Sequence, residues 1–338
     1  MRYRLLTSHS LLAVVIAVLA MATTMRAGQA PAEAVRKPGA AGAAAVPRTA
    51  DGHPDLQGVW DFRTITPMQR PSDLAGKDVL NDQEAAEFAI KNQRNQDNRE
   101  ATAVGVVNGQ QSNLDVERAY NDFWWDFGKN VVSTKRSSLV IDPPDGRIPP
   151  LTEMAQKRAA ARRELRERSA HGPEDRGVSE RCILGFNAGP PMLPSAYNNN
   201  VQIVQTRDYL VLHNEMVHNA RIVPLSLKPH GTQPQWNGDS RARWEGETLV
   251  IETKKFLDET AFQNSSSTLQ LTERFTRVAA DTLIYEFTVN DPSTWTKPWT
   301  AQIPMMRTDE MMYEYACHEA NYGMTNLLKG ARFLETNK

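Results

Sequence analysis

Residues 268–289 decide the fold, and they read TLQLTERFTRVAADTLIYEFTV. Two runs of alternating apolar and polar residues flank a short turn, AADT, at residues 279–282, which is typical of an antiparallel hairpin. Alternation gives each run one apolar face. These faces hold Leu269, Leu271, Glu273 and Phe275 in the first strand, and Leu283, Tyr285, Phe287 and Val289 in the second. Glu273 is therefore predicted to point the same way as its apolar neighbours.

Further β-type runs lie on both sides of this hairpin. They are VQIVQT (201–206), YLVLHNEMVHNARIVPL (209–225), RARW (241–244), TLVIET (248–253), PWTAQIPMM (298–306) and MMYEYAC (311–317). Several are joined by short turns, whereas parallel strands need a crossover of about a dozen residues. Together with a strand at Gly58–Phe62, these runs predict a mainly β fold: an antiparallel up-and-down barrel with a ligand-sized interior.

Helices are predicted only in an insertion at about residues 81–172. Asn81 followed by Glu84 is an N-terminal capping pattern for a helix to about Gln96. Thr152 caps a second helix that ends before Gly172. Its arginines alternate with glutamates at helical spacing, which favours a solvated face over a binding surface.

The first fifty residues are predicted to lie outside the domain. Residues 1–30 combine a basic start, a twelve-residue apolar run (LLAVVIAVLAMA) and small residues, as in a cleavable export signal. A retained N-terminal anchor is the alternative. Residues 31–50 are rich in Ala, Pro and Gly and predict a flexible linker, so residues 51–338 form the single predicted domain.

Composition and charge exclude several classes of protein. The chain has 338 residues, 40% of them hydrophobic and 23% charged, which excludes collagen-like and wholly disordered chains. Because 39 Lys and Arg residues face 40 Asp and Glu residues, no basic field is available to hold nucleic acid. After the signal, no stretch is apolar over the length that a membrane span requires.

The chain has two cysteines, Cys182 and Cys317. In the oxidising compartment that an export signal implies, they are predicted to form a disulfide, with two free thiols as the alternative. There is no CxxC motif to indicate redox catalysis or a zinc site.

Four strings resemble a large family of exported bacterial proteins of unassigned function. They are GDSRARWEGETLVIETKKF (238–256), YEYACHEANYGM (313–324), SLVIDPPDGRIPPLT (138–152) and TWTKPW (294–299). The family pattern is closer to GDSRGRWEGDTLVVDTTNF, with Gly where Ala242 stands. The likeness covers most of the chain from Asp51 and carries no established activity with it. The strand order is also similar to that of lipocalins, so the predicted barrel is described as lipocalin-like.

The densest polar cluster in a β-type run is HNEMVHNAR at residues 213–221. On one regular strand, His213, Glu215 and Arg221 share a face. A carboxylate held ionised by arginine, with an imidazole to relay protons, is a minimal acid–base set for a small ligand. A structural ion pair in the sheet is the alternative.

Glu273 is the second candidate acid. Among apolar neighbours its charged form is disfavoured, as in a general acid. The alternative is pairing with Arg221, Arg241 or Arg243 across the sheet. Glu215 and Glu273 also match the residue types of a glycosidase pair. We predict Glu215, Glu273 and His213 as catalytic residues.

A metal site is a further alternative. His213 and Glu215, completed by His218 or by His318 and Glu319, offer ligands suited to zinc or copper. The HxExxH spacing differs from the helical HExxH zinc motif, and His218 faces away on a regular strand. We therefore predict no metal and no organic cofactor.

Six further residues are predicted to bind a ligand: Arg221, Arg241, Trp236, Trp244, Trp299 and His318. Exposed tryptophans in exported proteins often stack on sugars or planar aromatic molecules, although a Trp is more often part of the core.

These residues predict an exported small-molecule enzyme, a hydrolase, lyase or isomerase using carboxylate, arginine and histidine acid–base chemistry. The alternative is a non-catalytic periplasmic carrier of a hydrophobic or aromatic ligand. A third hypothesis, an interaction protein, rests only on the helical insertion. The expected location is periplasmic or secreted, and the expected partner is a small organic ligand. The sequence has no GxSxG, GxGxxG or P-loop motif.

Overall fold

The computed structural model describes residues 46–102, 106–107, 110–111, 126, 128–258 and 262–337. The predicted export signal and most of the predicted linker lie outside these residues. No helix among them is both long enough and apolar enough to cross a bilayer.

Ten strands form one antiparallel sheet. They are β1 (Gly58–Asp61), β2 (Val140–Asp142), β3 (Asn200–Gln205), β4 (Tyr209–Asn214), β5 (Ala220–Pro224), β6 (Asp239–Glu245), β7 (Thr248–Lys254), β8 (Gln270–Arg277), β9 (Thr282–Asn290) and β10 (Trp299–Thr308). Their order is β5-β4-β3-β1-β10-β9-β8-β7-β6, and β2 pairs with β10 off this path. A separate small hairpin pairs residues 106–107 with residues 110–111. The prediction of a mainly β, antiparallel fold is confirmed.

The sheet is not closed into a barrel. Edge strands β5 and β6 are connected by one parallel bridge, between Leu225 and Ala242, and by a hydrogen bond from Ser226 N to Ala242 O (3.1 Å). Within the described ranges no ladder joins these two strands. The sheet nevertheless curls far enough for a side chain of edge strand β5 to reach β8, the third strand from the other edge.

The predicted faces of the central hairpin are confirmed. In the β8–β9 ladder Glu273 stands opposite Phe287, and Phe275 stands opposite Tyr285. All four side chains are 0% exposed. The inward faces of the strands therefore build one core inside the curl, because most of the alternating residues that point there are apolar.

Strand β1 lies in the middle of the sheet although it comes early in the chain. Val59 pairs with Gln202 of β3 on one side and with Thr308 of β10 on the other. The neighbouring Trp60 is fully buried, and its Nε1 donates to Leu56 O (2.8 Å). The short strand predicted at the start of the domain is thus confirmed, as a central strand.

The helices are α1 (Asp82–Thr102), α2 (Glu153–Glu167) and α3 (Gly323–Thr336). Asn81 Oδ1 accepts from Glu84 N and Glu84 Oε2 accepts from Asn81 N, both at 2.9 Å, as the capping pattern predicts. Thr152 Oγ1 caps α2 by accepting from Ala155 N (3.2 Å). The first helix runs past its predicted end at Gln96, and α3 was not predicted.

The segment MMYEYAC at 311–317 was predicted as a strand, and this prediction is wrong. The chain there has no regular secondary structure and leads into a turn and then α3. The segment is instead attached to the domain through Cys317, whose predicted disulfide with Cys182 is confirmed (S–S 2.00 Å, Cα–Cα 5.6 Å).

Asp291 ties the loop after β9 to the loop before β8. Its carboxylate is 2% exposed and accepts from Thr294 Oγ1 (2.6 Å), Thr268 Oγ1 (2.7 Å) and Ser266 N (2.8 Å). Burial alone would raise the pKa of Asp291, but these hydrogen bonds lower it to about 2. Neutral donors thus hold this buried carboxylate in its charged form.

Candidate functional site

A buried ion pair lies inside the curled sheet. Arg221 of β5 donates two hydrogen bonds to Glu273 of β8, from Nη1 to Oε2 (2.5 Å) and from Nη2 to Oε1 (2.9 Å). Glu273 is 0% exposed and Arg221 is 7% exposed. Three arginines were possible partners of Glu273 from the sequence, and Arg221 is the one that pairs with it.

Tyr285 completes this group, which we call the interior cluster (Arg221, Glu273 and Tyr285). Its hydroxyl donates to Glu273 Oε1 (2.8 Å) and accepts from Met192 N (3.1 Å). Burial, followed by the negative charge of Glu273, holds the pKa of Tyr285 well above its ordinary value. Burial alone would lower the pKa of Arg221, but the ion pair raises it. The three groups satisfy one another, which suits a structural role better than proton transfer.

A cavity of about 670 Å³ lies beside the start of β3 and the turn between β4 and β5. Its wall consists of Glu215, Arg63, Asp126 and residues from two segments, 197–200 and 310–316. We call it the end cavity. Volumes of 300–1,000 Å³ are typical of small-molecule sites.

Glu215 is buried at the edge of the end cavity, with 6% of its surface exposed. Its Oε1 accepts from Tyr313 N (3.0 Å) and its Oε2 from Asn200 Nδ2 (3.1 Å). Both carboxylate oxygens thus act as hydrogen-bond acceptors. Among the described residues no lysine, arginine or histidine forms an ion pair with it.

The prediction that His213, Glu215 and Arg221 share one face is wrong, because the chain turns between them. Strand β4 ends at Asn214, and β5 begins at Ala220 after a tight turn. In that hairpin Leu212 stands opposite Arg221 and His213 opposite Ala220. Opposed residues point to the same face, so His213 and Arg221 lie on opposite faces of the sheet.

The turn itself has an unusual backbone. Val217 (φ 48°) and His218 (φ 43°) both lie in the left-handed region, which β-branched residues rarely occupy. Two tertiary hydrogen bonds accompany it, from Glu215 N to Asn200 O (3.1 Å) and from Asn214 N to Asn219 O (2.9 Å). These bonds direct Glu215 toward the end cavity instead of along a strand.

Two tyrosine rings form an aromatic part of the cavity wall. Tyr197 and Tyr315 stack with centroids 6.0 Å apart and planes 19° apart, and Phe186 packs edge-on against Tyr197. Burial, followed by the hydrogen bond with Tyr315, raises the pKa of Tyr197 to about 12. The Tyr197 phenol is therefore neutral at physiological pH.

Covalent and polar anchors hold this wall in place. Asn187 Nδ2 donates to the backbone oxygens of Tyr197 and Asn198, each at 3.1 Å. On the other side, the Cys182–Cys317 disulfide fixes the segment that carries Tyr315. Both tyrosines are thus positioned by the 182–198 region, which itself has no strand.

Arg63 lies in the wall with its charge already neutralised. It donates to Asp61 Oδ2 (2.5 Å) and Glu310 Oε2 (2.7 Å), and also to Asp126. Burial alone would lower the pKa of Arg63, but these carboxylates raise it. Arg63, Asp126 and Glu310 also line a neighbouring cavity of about 560 Å³.

The structure distributes the predicted ligand-binding residues over the molecule. Arg241 pairs with Asp239 on the outer side of β6, and Trp244 stacks on His53 (4.5 Å). Trp236 lies in a loop with the Arg181 guanidinium 6.0 Å from its ring. None of the three predicted residues, Arg241, Trp244 and Trp236, lines the end cavity.

The remaining two predicted ligand-binding residues are also elsewhere. Trp299 is fully buried in the core, 5.8 Å from both Phe287 and Trp295. His318 lines a small cavity of about 260 Å³ near Arg181. Of all the predicted site residues, Glu215 is the one that lines the end cavity, while Glu273 and Arg221 form the interior cluster.

Sequence reasoning missed most of the cavity wall, including Tyr197, Tyr313, Tyr315 and Arg63. One signal was present: the predicted disulfide already brought the YEYAC string at 313–317 close to Cys182. Tyr313 and Tyr315 were hidden because two tyrosines that flank a polar residue, as in Tyr-Glu-Tyr, are typical of a strand.

The described residues bring together no group of three or more His, Cys, Asp or Glu side chains that could hold a metal ion. The alternative zinc or copper set around His213 and Glu215 is therefore not assembled. Compared with known proteins, the chain matches no protein-family model and no curated sequence.

Proposed function

We propose that this protein binds a small organic molecule in the end cavity, as a non-catalytic carrier. The observation that carries the proposal is the cavity itself: about 670 Å³, with stacked tyrosine rings on one side and the buried carboxylate of Glu215 on another. A concave site with aromatic walls and a few polar groups is the usual form of a small-molecule site.

The distribution of charges supports a carrier over an enzyme. Glu273 is saturated by Arg221 and Tyr285. His213 lies on β4 and does not line the end cavity. Of the predicted catalytic set, Glu215 is therefore the one member that lines the cavity, and the imidazole predicted to relay protons beside it is not there.

Acid–base catalysis in the same cavity is the second candidate. It is favoured by the position of Glu215 in one wall with the phenols of Tyr197 and Tyr315, since carboxyl and phenol groups are both used as general acids and bases.

The proposal includes export to the periplasm or the exterior and a lipocalin-like, barrel-forming curl of the sheet. The Cys182–Cys317 disulfide supports export, because disulfides persist in oxidising compartments. The bridge between Leu225 and Ala242 supports a barrel-like arrangement of the two edges.

A fragment screen tests the proposal. Ligand-observed NMR on the full chain, with fragments that carry one or two aromatic rings, should identify binders whose affinity falls about tenfold or more in Tyr315→Ala. Tyr322→Ala is the matched control, because Tyr322 is 71% exposed and does not line the end cavity. Binders that are unaffected by Tyr315→Ala and by Glu215→Gln would overturn the assignment to this cavity.

The same samples separate the carrier from the enzyme. Mass spectrometry of each binder after incubation with equimolar protein should recover it unchanged. Suppose instead that the wild type converts a binder into a product, and that Glu215→Gln still binds it but no longer converts it. This result would overturn the proposal of a carrier in favour of acid–base catalysis.

A further inference from the structure

The end cavity carries an excess of negative charge. One guanidinium, Arg63, faces four carboxylates in the wall: Asp126, Glu215, Glu310 and Glu314. The excess is three negative charges. Arg63 is also paired with Asp61, so its positive charge is not available to a bound anion.

Glu215 is the most informative of these carboxylates because it is buried. Its two hydrogen-bond donors, Asn200 Nδ2 and Tyr313 N, are neutral. Glu273 has a cationic partner, and Asp291, which has none among the described residues, accepts hydrogen bonds from more than two neutral donors. Within the part of the chain that the structure describes, Glu215 has no cationic partner.

A second acceptor in the wall also lacks a partner. Asn200 is 8% exposed and lines the end cavity, and its Oδ1 accepts no hydrogen bond from the described residues. Because an unpaired buried acceptor costs free energy, the site is complementary to a molecule that donates hydrogen bonds. Asn200 contacts Glu215 through its Nδ2 (3.1 Å), so this incompletely satisfied amide and the carboxylate belong to the same part of the wall.

The aromatic part of the cavity wall favours a positively charged ligand. The faces of Tyr197 and Tyr315 carry negative electrostatic potential and attract cations. Both rings line the cavity and are only partly buried, so they add apolar surface to it.

Resting on the proposed function, we infer that the ligand is an organic cation: a protonated amine or guanidine with N–H donors and an aromatic or planar apolar body. The charged head pairs with Glu215, and the body packs on the tyrosine rings. A neutral or anionic molecule of the same shape leaves Glu215 without a counterion. A multivalent metal ion fits less well, because the described residues assemble no cluster of three metal-ligating side chains.

A matched set of three probes tests this inference. The probes are 2-(naphthalen-2-yl)ethylamine, 2-(naphthalen-2-yl)ethanol and 3-(naphthalen-2-yl)propanoate, which share a ring system and differ in charge. Equilibrium dialysis against the full chain should show the amine binding about five- to tenfold more tightly than the alcohol, since a charge-assisted hydrogen bond replaces a neutral one. The propanoate should bind most weakly.

Glu215→Gln should remove the preference for the amine over the alcohol while leaving the affinity for the alcohol within about twofold. Glu319→Gln is the control: Glu319 is an exposed carboxylate that follows the wall segment 310–316 and does not line the cavity. It should keep the wild-type preference.

Two outcomes are distinguishable failures. Equal binding of amine and alcohol, both weakened by Tyr315→Ala, would overturn the inference of a cation and leave the proposed function standing. Binding of no probe, together with no cavity-dependent binder in the fragment screen, would overturn the proposed function and the inference with it.

Discussion

Glu273 and Glu215 are both buried glutamates, and they differ in what neutralises them. Glu273 lies in the middle of a regular strand, where Arg221 and Tyr285 reach it from neighbouring parts of the curled sheet. Glu215 lies in an irregular turn at the edge of a cavity and receives only neutral donors. The difference teaches that a carboxylate in the sheet interior has a guanidinium partner, whereas the carboxylate at the edge of the end cavity is held by neutral donors among the described residues.

The largest expected effect is in the sheet interior. Glu273→Ala leaves the buried charge of Arg221 without a partner, so we expect the free energy of unfolding to fall by about 3–5 kcal/mol. Urea denaturation followed by tryptophan fluorescence measures it. Glu286→Ala on β9, an outer-face carboxylate that is only partly buried, should cost less than about 1 kcal/mol. Equal losses in the two variants would contradict the structural role of the interior cluster.

The next effect concerns the wall of the end cavity. Replacing both Cys182 and Cys317 by Ser should lower the free energy of unfolding by roughly 2–4 kcal/mol, because a long loop is no longer closed in the unfolded chain. It should also weaken binding of the naphthyl amine, since Tyr315 is then less firmly placed. Denaturation and equilibrium dialysis measure the two effects.

A reductant is the control. It should lower the free energy of unfolding and the amine affinity of the wild type, and it should change neither in the double variant. Unchanged amine affinity in the double variant would show that the wall is positioned without the disulfide.

Asp291 is an intermediate case, since it is buried like both glutamates but is held by hydroxyl and amide donors. Its pKa of about 2 is below the ordinary 3.8, so its contribution to stability is complete above about pH 4 and is lost as pH falls toward 2. The lowered pKa corresponds to at most about 2 kcal/mol. The gap in unfolding free energy between the wild type and Asp291→Asn should therefore narrow between pH 6 and pH 2.5. A constant gap would mean that the carboxylate charge is not what the hydroxyls stabilise.

The smallest expected effect on stability is at Glu215. Glu215→Gln keeps an acceptor for Tyr313 N and adds an amide donor that can satisfy Asn200 Oδ1, so the free energy of unfolding should change by less than about 1 kcal/mol. Thermal and urea denaturation measure it. A loss as large as that of Glu273→Ala would erase the distinction between the two glutamates.

The regular strands were predictable because alternation of apolar residues is a local signal. Residues 268–289 were assigned to two strands with the correct buried faces, and Asn81 and Thr152 were identified as helix caps. The partner of Glu273 could only be narrowed to three arginines. Which of them meets it depends on how far the sheet curls, and no local pattern encodes that.

The end cavity was largely hidden from the sequence because tertiary contacts create it. The run NEMVHN reads as part of a strand, yet a hydrogen bond from Glu215 N to Asn200 O accompanies a tight turn there. Similarly, MMYEYAC has the composition of a strand, but the disulfide at Cys317 and the hydrogen bond from Tyr313 N to Glu215 keep it outside the sheet. In both segments tertiary contacts override the β propensity of the residues, and these two segments meet in the wall of the end cavity.

The position of β1 also has a consequence for biosynthesis. This strand is made early, but its two neighbours in the sheet, β3 and β10, are made in the middle and near the end of the chain. A growing polypeptide therefore exposes a strand edge with unpaired backbone groups until Trp299–Thr308 has emerged. Since such contacts between distant parts of a chain form slowly, we expect this open edge to be the part of the folding chain most exposed to wrong pairing.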